Sequence, residues 1–454
     1  MTDAPRPPHR PEAPGLRVVN HGCRLNIAEG EALAAAAAEA GASNLGGIIV
    51  HNSCSVTAEA LRSVRQAIRR SARENPGARI VVTGCAAHTD GAALAAMEEV
   101  HAVIGNQEKL SAEGWIDLPD FGVSTAEKLR VADWPDVATL APHMQIAGEP
   151  AARDDGGRKR ARAFLAIQNG CDHACTFCII PNGRGPSRSV PMGVIVESAR
   201  RLVDNGSEEI VLTGVDLTSW GGDLPGGPRL GDVVQTLLRH LSALPRLRLS
   251  SIDSIEADPA LMDALAEPRF MPHLHLSLQH GHDLILKRMR RRHLREDAIA
   301  FCEEARARRP GLAIGADLIA GFPTETAEHH AASMSLVEEA GIAHLHVFPF
   351  SVRHGTPAAR RPQLDGRVVR ERAKALREVG GVVLRRHLEA RVGTSDEVVV
   401  HHGHDANGRQ MGLTRDFCRT AMIADARPHA SPGHRLAVRI AAVEGDGLLA
   451  HPVG

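Results

Sequence analysis

Along most of the chain, short apolar runs alternate with stretches whose apolar positions recur every three to four residues. The runs have the length and spacing of β-strands, and the longer stretches have the period of amphipathic helices. Taken in turn, these two patterns predict a parallel sheet covered by helices. Between residues 16 and 125 the unit occurs three times: the runs 16–20, 48–51 and 80–83 are each followed by an alanine-rich or arginine-rich helical segment. Between 161 and 388 it occurs six times, with runs at 164–168, 209–213, 248–252, 274–278, 313–319 and 343–348. Six strand–helix units predict an open (β/α)6 barrel.

The pattern changes after residue 389. Runs at 397–401, 417–423 and 435–443 are separated by glycine, proline and asparagine turns, which predicts a small all-β barrel over 389–454. The expected fold class is therefore α/β, with an amino-terminal parallel domain at 16–125, a central barrel at 161–388 and a carboxyl-terminal all-β module. Residues 126–160 read as a linker, because 148–162 is charged and glycine-bearing. Residues 1–15 are proline-rich and polar and read as a disordered tail without the apolar core of a signal peptide. No stretch approaches the roughly 18 uninterrupted apolar residues of a membrane span. A cytoplasmic protein with no membrane partner is expected.

Composition narrows the chemistry. A formal net charge of −1 argues against non-specific coating of nucleic acid but permits local basic faces. Eight cysteines in a reducing compartment point to metal binding or catalysis before disulfides. Three of them stand at Cys171, Cys175 and Cys178, after an apolar run and an Asn169-Gly170 turn signal. Thiolates this close can grip one small object, and a [4Fe-4S] cluster held by three would keep one iron open for a non-protein ligand. Structural zinc with His173 or Asp172 as fourth ligand, a redox dithiol at Cys175 and Cys178, and a disulfide framework use the same residues.

A second trio is spread more widely. Cys23, Cys54 and Cys85 follow the three apolar runs of the first domain, and 31 residues separate each from the next. In a parallel sheet such turns share the carboxyl edge, so the three can converge on one site. By the same geometry Thr213, Gly214, Asp216, Ser250, Ser251, Gln279, Asp317 and Phe348 stand near strand ends of the central barrel and are candidates for substrate or cofactor contact. Arg62, Arg65, Arg69 and Arg73 fall on one helix face, suited either to solvent or to phosphate. The segment 287–296, KRMRRRHLRE, and the run Arg158-Lys159-Arg160 offer further basic surface for RNA.

The CxxxCxxC spacing resembles the signature of radical S-adenosylmethionine (SAM) enzymes. The string NGCDHACTFCIIPNGRGPSRS at 169–189, together with GCRLN at 22–26, NSCSVT at 52–57 and VVTGCAA at 81–87, resembles the methylthiotransferase branch. The resemblance implies two [4Fe-4S] clusters. Cys171, Cys175 and Cys178 would hold the one that binds SAM and yields a 5′-deoxyadenosyl radical. Cys23, Cys54 and Cys85 would hold an auxiliary one carrying the sulfur to be inserted. It places TGVD, LSLQ and ADLIAGFP near SAM, which favours Thr213, Gly214, Gln279 and Asp317; with the strand-end residues Asp216, Ser251 and Phe348 they make up the expected cofactor-binding set. It also likens 389–454 to the RNA-binding TRAM module, with arginines at 409, 415, 419, 435 and 439 available for phosphate.

SVRQAIRR at 63–70 and HVFPFS at 346–351 resemble the branch acting on threonylcarbamoyladenosine at tRNA position 37. The implied partners are a tRNA anticodon loop, a flavodoxin- or ferredoxin-like electron donor and a sulfur donor. Sister branches modify isopentenyladenosine in tRNA or a ribosomal-protein aspartate, and a zinc-stabilised RNA-binding protein is the reading from another class. The chain departs from the family pattern at Asn182, where an aromatic is usual, and at His280, His282 and His354. His21, His51 and His88 flank the amino-terminal motifs and are expected to line the site.

Overall fold

The computed structural model describes residues 15–41, 47–116, 118, 124–132, 134, 161–423 and 431–453. The tail expected at 1–15, apart from Gly15, lies outside the described residues. So does the linker expected at 126–160, apart from 126–132 and 134, and with it the run Arg158-Lys159-Arg160.

The first sheet has five parallel strands in sequence order: β1 (Leu16–Asn20), β2 (Ile48–Ser53), β3 (Arg79–Gly84), β4 (Ala102–Ile104) and β5 (Leu129–Arg130). The apolar pattern predicted the first three. The last two are three and two residues long, too short to show as runs. Every residue of β2 is buried, which is why its sequence reads as apolar without alternation. Asn20 pairs with Asn52 and Asn52 with Thr83, so the strands end in step and their turns stand side by side. Helix α1 (Arg24–Glu39) follows β1, α2 (Ala58–Glu74) follows β2 and the short α3 (Cys85–Thr89) follows β3. Leu61, Val64 and Ile68 anchor α2, and Thr57 caps it by accepting from the Ala60 amide at 3.0 Å.

The central domain contains six parallel runs in the order β6 (Ala163–Ala166), β9 (Ile210–Thr213), β10 (Leu247–Leu249) with β11 (Ser251–Ile252), β12 (His273–Gln279), β13 (Ala313–Ala320) and β14 (Ile342–Pro349). β10 and β11 are one run broken at Ser250. It leaves the sheet of β6 and β9 and enters that of β12 to β14. Among the described residues no pairing joins β6 to β14, so the barrel is open. Its helices bury one large apolar core against the outer face of the strands. The inner face is polar. A small antiparallel pair, β7 (Gln168–Asn169) with β8 (Arg188–Ser189), closes the base of the cysteine loop.

β15 (Ser395–His404), β16 (Gln410–Leu413), β17 (Arg419–Met422), β18 (Arg435–Glu444) and β19 (Gly447–Pro452) close a five-stranded barrel. Sequence periodicity predicted three of these strands; β16 and β19 carry too few apolar residues to stand out. Cys418 lies in this core and Cys302 in that of the central domain, both as packing residues. Among the described residues, no helix is long and apolar enough to cross a membrane.

Candidate active site

Cys23 caps α1, Cys54 follows β2 and Cys85 opens α3, so the register of the sheet sets all three at one edge. Gly22 and Gly84 allow the turns to close. Both have left-handed φ, +111° and +91°. A Cβ on Gly22 would lie 2.6 Å from Cys54 Cβ and one on Gly84 2.3 Å from the Ser53 carbonyl oxygen. Burial pushes the Cys54 thiol up to about 11, and the charges of Cys85 and Cys23 add to the shift. Cys23 touches solvent, yet protein crowds its sulfur closely enough that burial raises its pKa too.

The second trio lies on the loop between β7 and β8. Cys171 N donates to Gly185 O at 3.1 Å, Thr176 N to Met289 O at 3.1 Å and Ala358 N to Thr176 O at 2.9 Å. Phe177 packs against Ile285, Met289, Ile319, Phe322 and Ala358. Burial raises the Cys178 thiol to about 12; burial and then Asp216 raise Cys171. Six thiols, most of them resisting ionisation, gain most from an electrophilic metal that stabilises the thiolate.

The helices that adjoin the two trios pack on each other. The helix Ile180–Arg184, which begins two residues after Cys178, packs on α3, which begins at Cys85. Gly183 allows the contact: a Cβ there would stand 3.3 Å from both Cys85 Cβ and Cys85 O. Asn106 Nδ2 donates to Gly183 O at 2.7 Å. Arg184 Nε donates to Cys85 Sγ at 3.1 Å and Nη2 to Asn26 Oδ1 at 2.5 Å, while Nη1 pairs with Glu29. Lys109 Nζ takes the other Glu29 oxygen at 2.7 Å. Sequence reasoning missed Arg184, Glu29, Lys109 and Asn106. The signal for Arg184 was present, since it belongs to the quoted string at 169–189, but its partners are remote in sequence.

Of the residues expected near SAM, Thr213, Gly214 and Asp216 share one turn, and Asp216 reaches Cys171. Gln168 Oε1 accepts from the amides of Val215 and Asp216 at 2.9 and 2.8 Å, and this anchors the turn after Thr213 and Gly214. Asp216 lies 3.7 Å from Cys171 Sγ and 2.7 Å from His173 Nε2. Ser219 Oγ, one turn further on, donates to the same carboxylate at 2.6 Å. Asp216, with Glu256 behind it, raises His173 to about 10, so that ring is held as a cation by carboxylates. Gln279 ends β12 with φ +69°, a strained conformation for a non-glycine residue.

Asp317 and Phe348 project from the inner face of β13 and β14. Burial pushes the Asp317 carboxyl up, but His275 Nε2 at 2.8 Å and His346 Nδ1 at 3.3 Å outweigh it and hold its pKa at about 2. Ser251 is half-buried at the start of β11, and Phe348 is exposed. Arg24 of α1 adds a positive charge within reach of Asp317. At the amino end of the strands Phe417, with φ +73°, stacks on His273 at 4.7 Å beneath the guanidinium groups of Arg24, Arg162 and Arg248. The carboxyl-terminal barrel thereby closes that end of the central one.

The histidines beside the first trio have other partners. His21 and His51 bond each other at 2.8 Å, and His88 Nε2 accepts from Asn106 N at 3.0 Å. His280 faces Glu325 at 3.4 Å, and His282 caps the helix that follows it. Trp134 donates to Asn182 O at 2.7 Å and stacks on His88. In the basic segment 287–296, Lys287 and Arg290 are exposed, and the other four arginines have partners within the fold. Arg291 and Arg292 bind Asp253, Arg288 binds Thr324, and Arg295 binds Ala332 O and Glu339. Arg409, Arg415, Arg419 and Arg435 are also paired with carboxylates. On α2, Arg62 pairs with Glu59 and Arg69 with Glu99, and Arg70, Arg73 and, in the carboxyl-terminal barrel, Arg439 are also exposed.

Comparison with known proteins decides the family. The radical SAM superfamily matches residues 165–337, and the uncharacterized protein family UPF0004 matches 16–105. Threonylcarbamoyladenosine tRNA methylthiotransferase MtaB of Rickettsia prowazekii is 43% identical over 86% of this chain and 88% of its own. This chain is a radical SAM methylthiotransferase. The tRNA-2-methylthio-N(6)-dimethylallyladenosine synthase of Cereibacter sphaeroides (strain ATCC 17025 / ATH 2.4.3) is 30% identical over 98% of this chain and 99% of its own. In fold, the chain is similar to the radical SAM methyltransferase TsrM of Kitasatospora setae, with a TM-score of 0.54 and 15% identity over 76% of this chain and 74% of that one.

The methylthiotransferase uses SAM and two [4Fe-4S] clusters, as its family does. The donor set fits them: two groups of three soft thiols, with the imidazole inside the second motif, His173 Nε2, already taken by Asp216. The readings as a zinc-stabilised binder and as a dithiol oxidoreductase fall with the family assignment.

Proposed function

We propose that this methylthiotransferase places a methylthio group on carbon 2 of N6-threonylcarbamoyladenosine at tRNA position 37. In this reading Cys171, Cys175 and Cys178 hold the radical cluster and Cys23, Cys54 and Cys85 the auxiliary one. Thr213, Gly214, Asp216, Ser251, Gln279, Asp317 and Phe348 line the SAM and substrate space. Residues 16–125, 161–388 and 389–454 act as sulfur-carrying, radical-generating and TRAM-like modules. The observation that carries the reading is the direct packing of the helix after Cys178 on the helix that opens with Cys85. It sets the two trios side by side, with the open barrel beside them.

When bound, SAM and the clusters supply a radical able to break an unactivated C–H bond and the sulfur that replaces the hydrogen. The protein holds them and the base in line and excludes water. Threonylcarbamoyladenosine carries a carboxylate, to which Arg24 offers a guanidinium, while His275 and His346 are already paired with Asp317. A flavodoxin- or ferredoxin-like protein would supply electrons and a separate donor the sulfur. Nucleosides from cells lacking the protein should show threonylcarbamoyladenosine without its methylthio derivative. Loss of the methylthio group from isopentenyladenosine instead would overturn the substrate assignment.

The RNA face can be tested separately. Arg69 and Arg73 line an open groove on α2 with Gln66, Arg70 and Glu99, the last within 3.8 Å of Arg69. Reversing both charges, Arg69→Glu and Arg73→Glu, should weaken tRNA binding and flatten the plot of log affinity against log salt by about 0.7 to 0.9 per lost phosphate contact. An unchanged slope would remove α2 from the interface.

A further inference from the structure

Arg184 is 2% exposed, and a charge so deeply buried is costly without partners. Nearly all of its partners belong to the other domain. Two of its nitrogens bind Asn26 and Glu29, and a third, Nε, donates to the sulfur of Cys85 at 3.1 Å. Glu29 is 1% exposed and Lys109 0%, and their 2.7 Å pair completes the network. Two cations thus face one carboxylate, leaving one net positive charge buried beside a cluster ligand. A latch between domains would need only the bond to Glu29. The bond to sulfur is extra, and hydrogen bonds to ligand sulfurs are one of the means by which a protein sets a cluster's potential.

We propose that Arg184, balanced by Glu29 and Lys109, tunes the reduction potential of the auxiliary cluster. Reduction adds one electron, and so one negative charge, to that cluster. A guanidinium bonded to its ligand stabilises the reduced form and raises the potential, and the Glu29 carboxylate opposes it. Arg184 is thus a positioning and tuning residue. The inference rests on the assignment of Cys23, Cys54 and Cys85 to a cluster.

The test uses the full chain with Cys171, Cys175 and Cys178 replaced by alanine, so that a single cluster is reconstituted and titrated with dithionite under EPR. At the parent midpoint, Arg184→Met should lower the reduced-to-oxidised ratio at least tenfold, about 59 mV for one electron. Glu29→Gln should move the midpoint the other way, and Arg184→Lys should fall between parent and Arg184→Met. Unchanged midpoints in both Arg184→Met and Glu29→Gln would overturn the proposal. If Arg184→Met binds no iron, Glu29→Gln decides alone. A parent protein without iron would instead sink the cluster assignment, and this inference with it.

Discussion

Replacing Cys175 with alanine is expected to abolish methylthio transfer and to reduce iron from about eight to about four per chain. Cys175 is the middle member of the trio on the 170–187 loop, and its sulfur faces Arg291 Nη1 at 3.8 Å. The fold does not depend on that sulfur. The loop is held by Thr176, which bonds Met289 and Arg288, by Phe177 in its apolar pocket and by the Cys171–Gly185 backbone bond. Cys175 is only half-buried, so the variant should melt within a few degrees of the parent. Iron analysis and nucleoside mass spectrometry check the expectation. Full turnover, or retention of all the iron, would contradict the role given to this trio.

Gly183→Val is expected to leave both clusters assembled and SAM cleavage intact while methylthio transfer falls by about a hundredfold. Even a single methyl at this position would press on Cys85 Cβ and backbone from 3.3 Å, and a branched side chain requires the helix Ile180–Arg184 to lift from α3. Neither trio loses a ligand in that movement. What changes is their separation and the path from sulfur to base, and a displacement of about 1 Å can cost about a hundredfold in rate. The measurement pairs iron content and 5′-deoxyadenosine release with methylthio product. Equal losses in all three would mean that the glycine serves folding, and no loss would mean that the contact between the helices does not set the geometry.

The chemistry-bearing residues were legible because their spacing is local or repeats. Cys171, Cys175 and Cys178 share one loop, and the 31-residue repeat of Cys23, Cys54 and Cys85 reflects a strand–turn–helix unit whose turns must align once the strands pair in parallel. Strand positions in the two α/β domains followed from apolar runs for the same reason. β4 and β5 did not, because they are only three and two residues long, nor did β16 and β19, which pairing in a closed barrel stabilises more than their own composition does.

Charge was the least legible property. The arginines of 287–296 read as an RNA surface, yet Arg291, Arg292 and Arg295 are engaged by Asp253, Glu256 and a backbone carbonyl, while Arg290 stays exposed. A sequence shows how many charges a segment carries but not which carboxylates the fold will bring to it. Arg184 shows the same limit from the other side. Its importance lies in Glu29, Asn26 and Cys85, which are 99 to 158 residues away.

By itself, then, the sequence determined the strand–helix patterns and the two cysteine trios, since those rest on local spacing and on repeats that parallel pairing converts into one edge, while the class of reaction came from the resemblance of the surrounding motifs to a known family. Only the tertiary structure decided that Gly183 lets the helices beside the two sets abut, that Phe417 closes the far end of the barrel and that a buried guanidinium bonds the sulfur of Cys85. Each of these depends on packing between distant segments, which no periodicity along a single chain records.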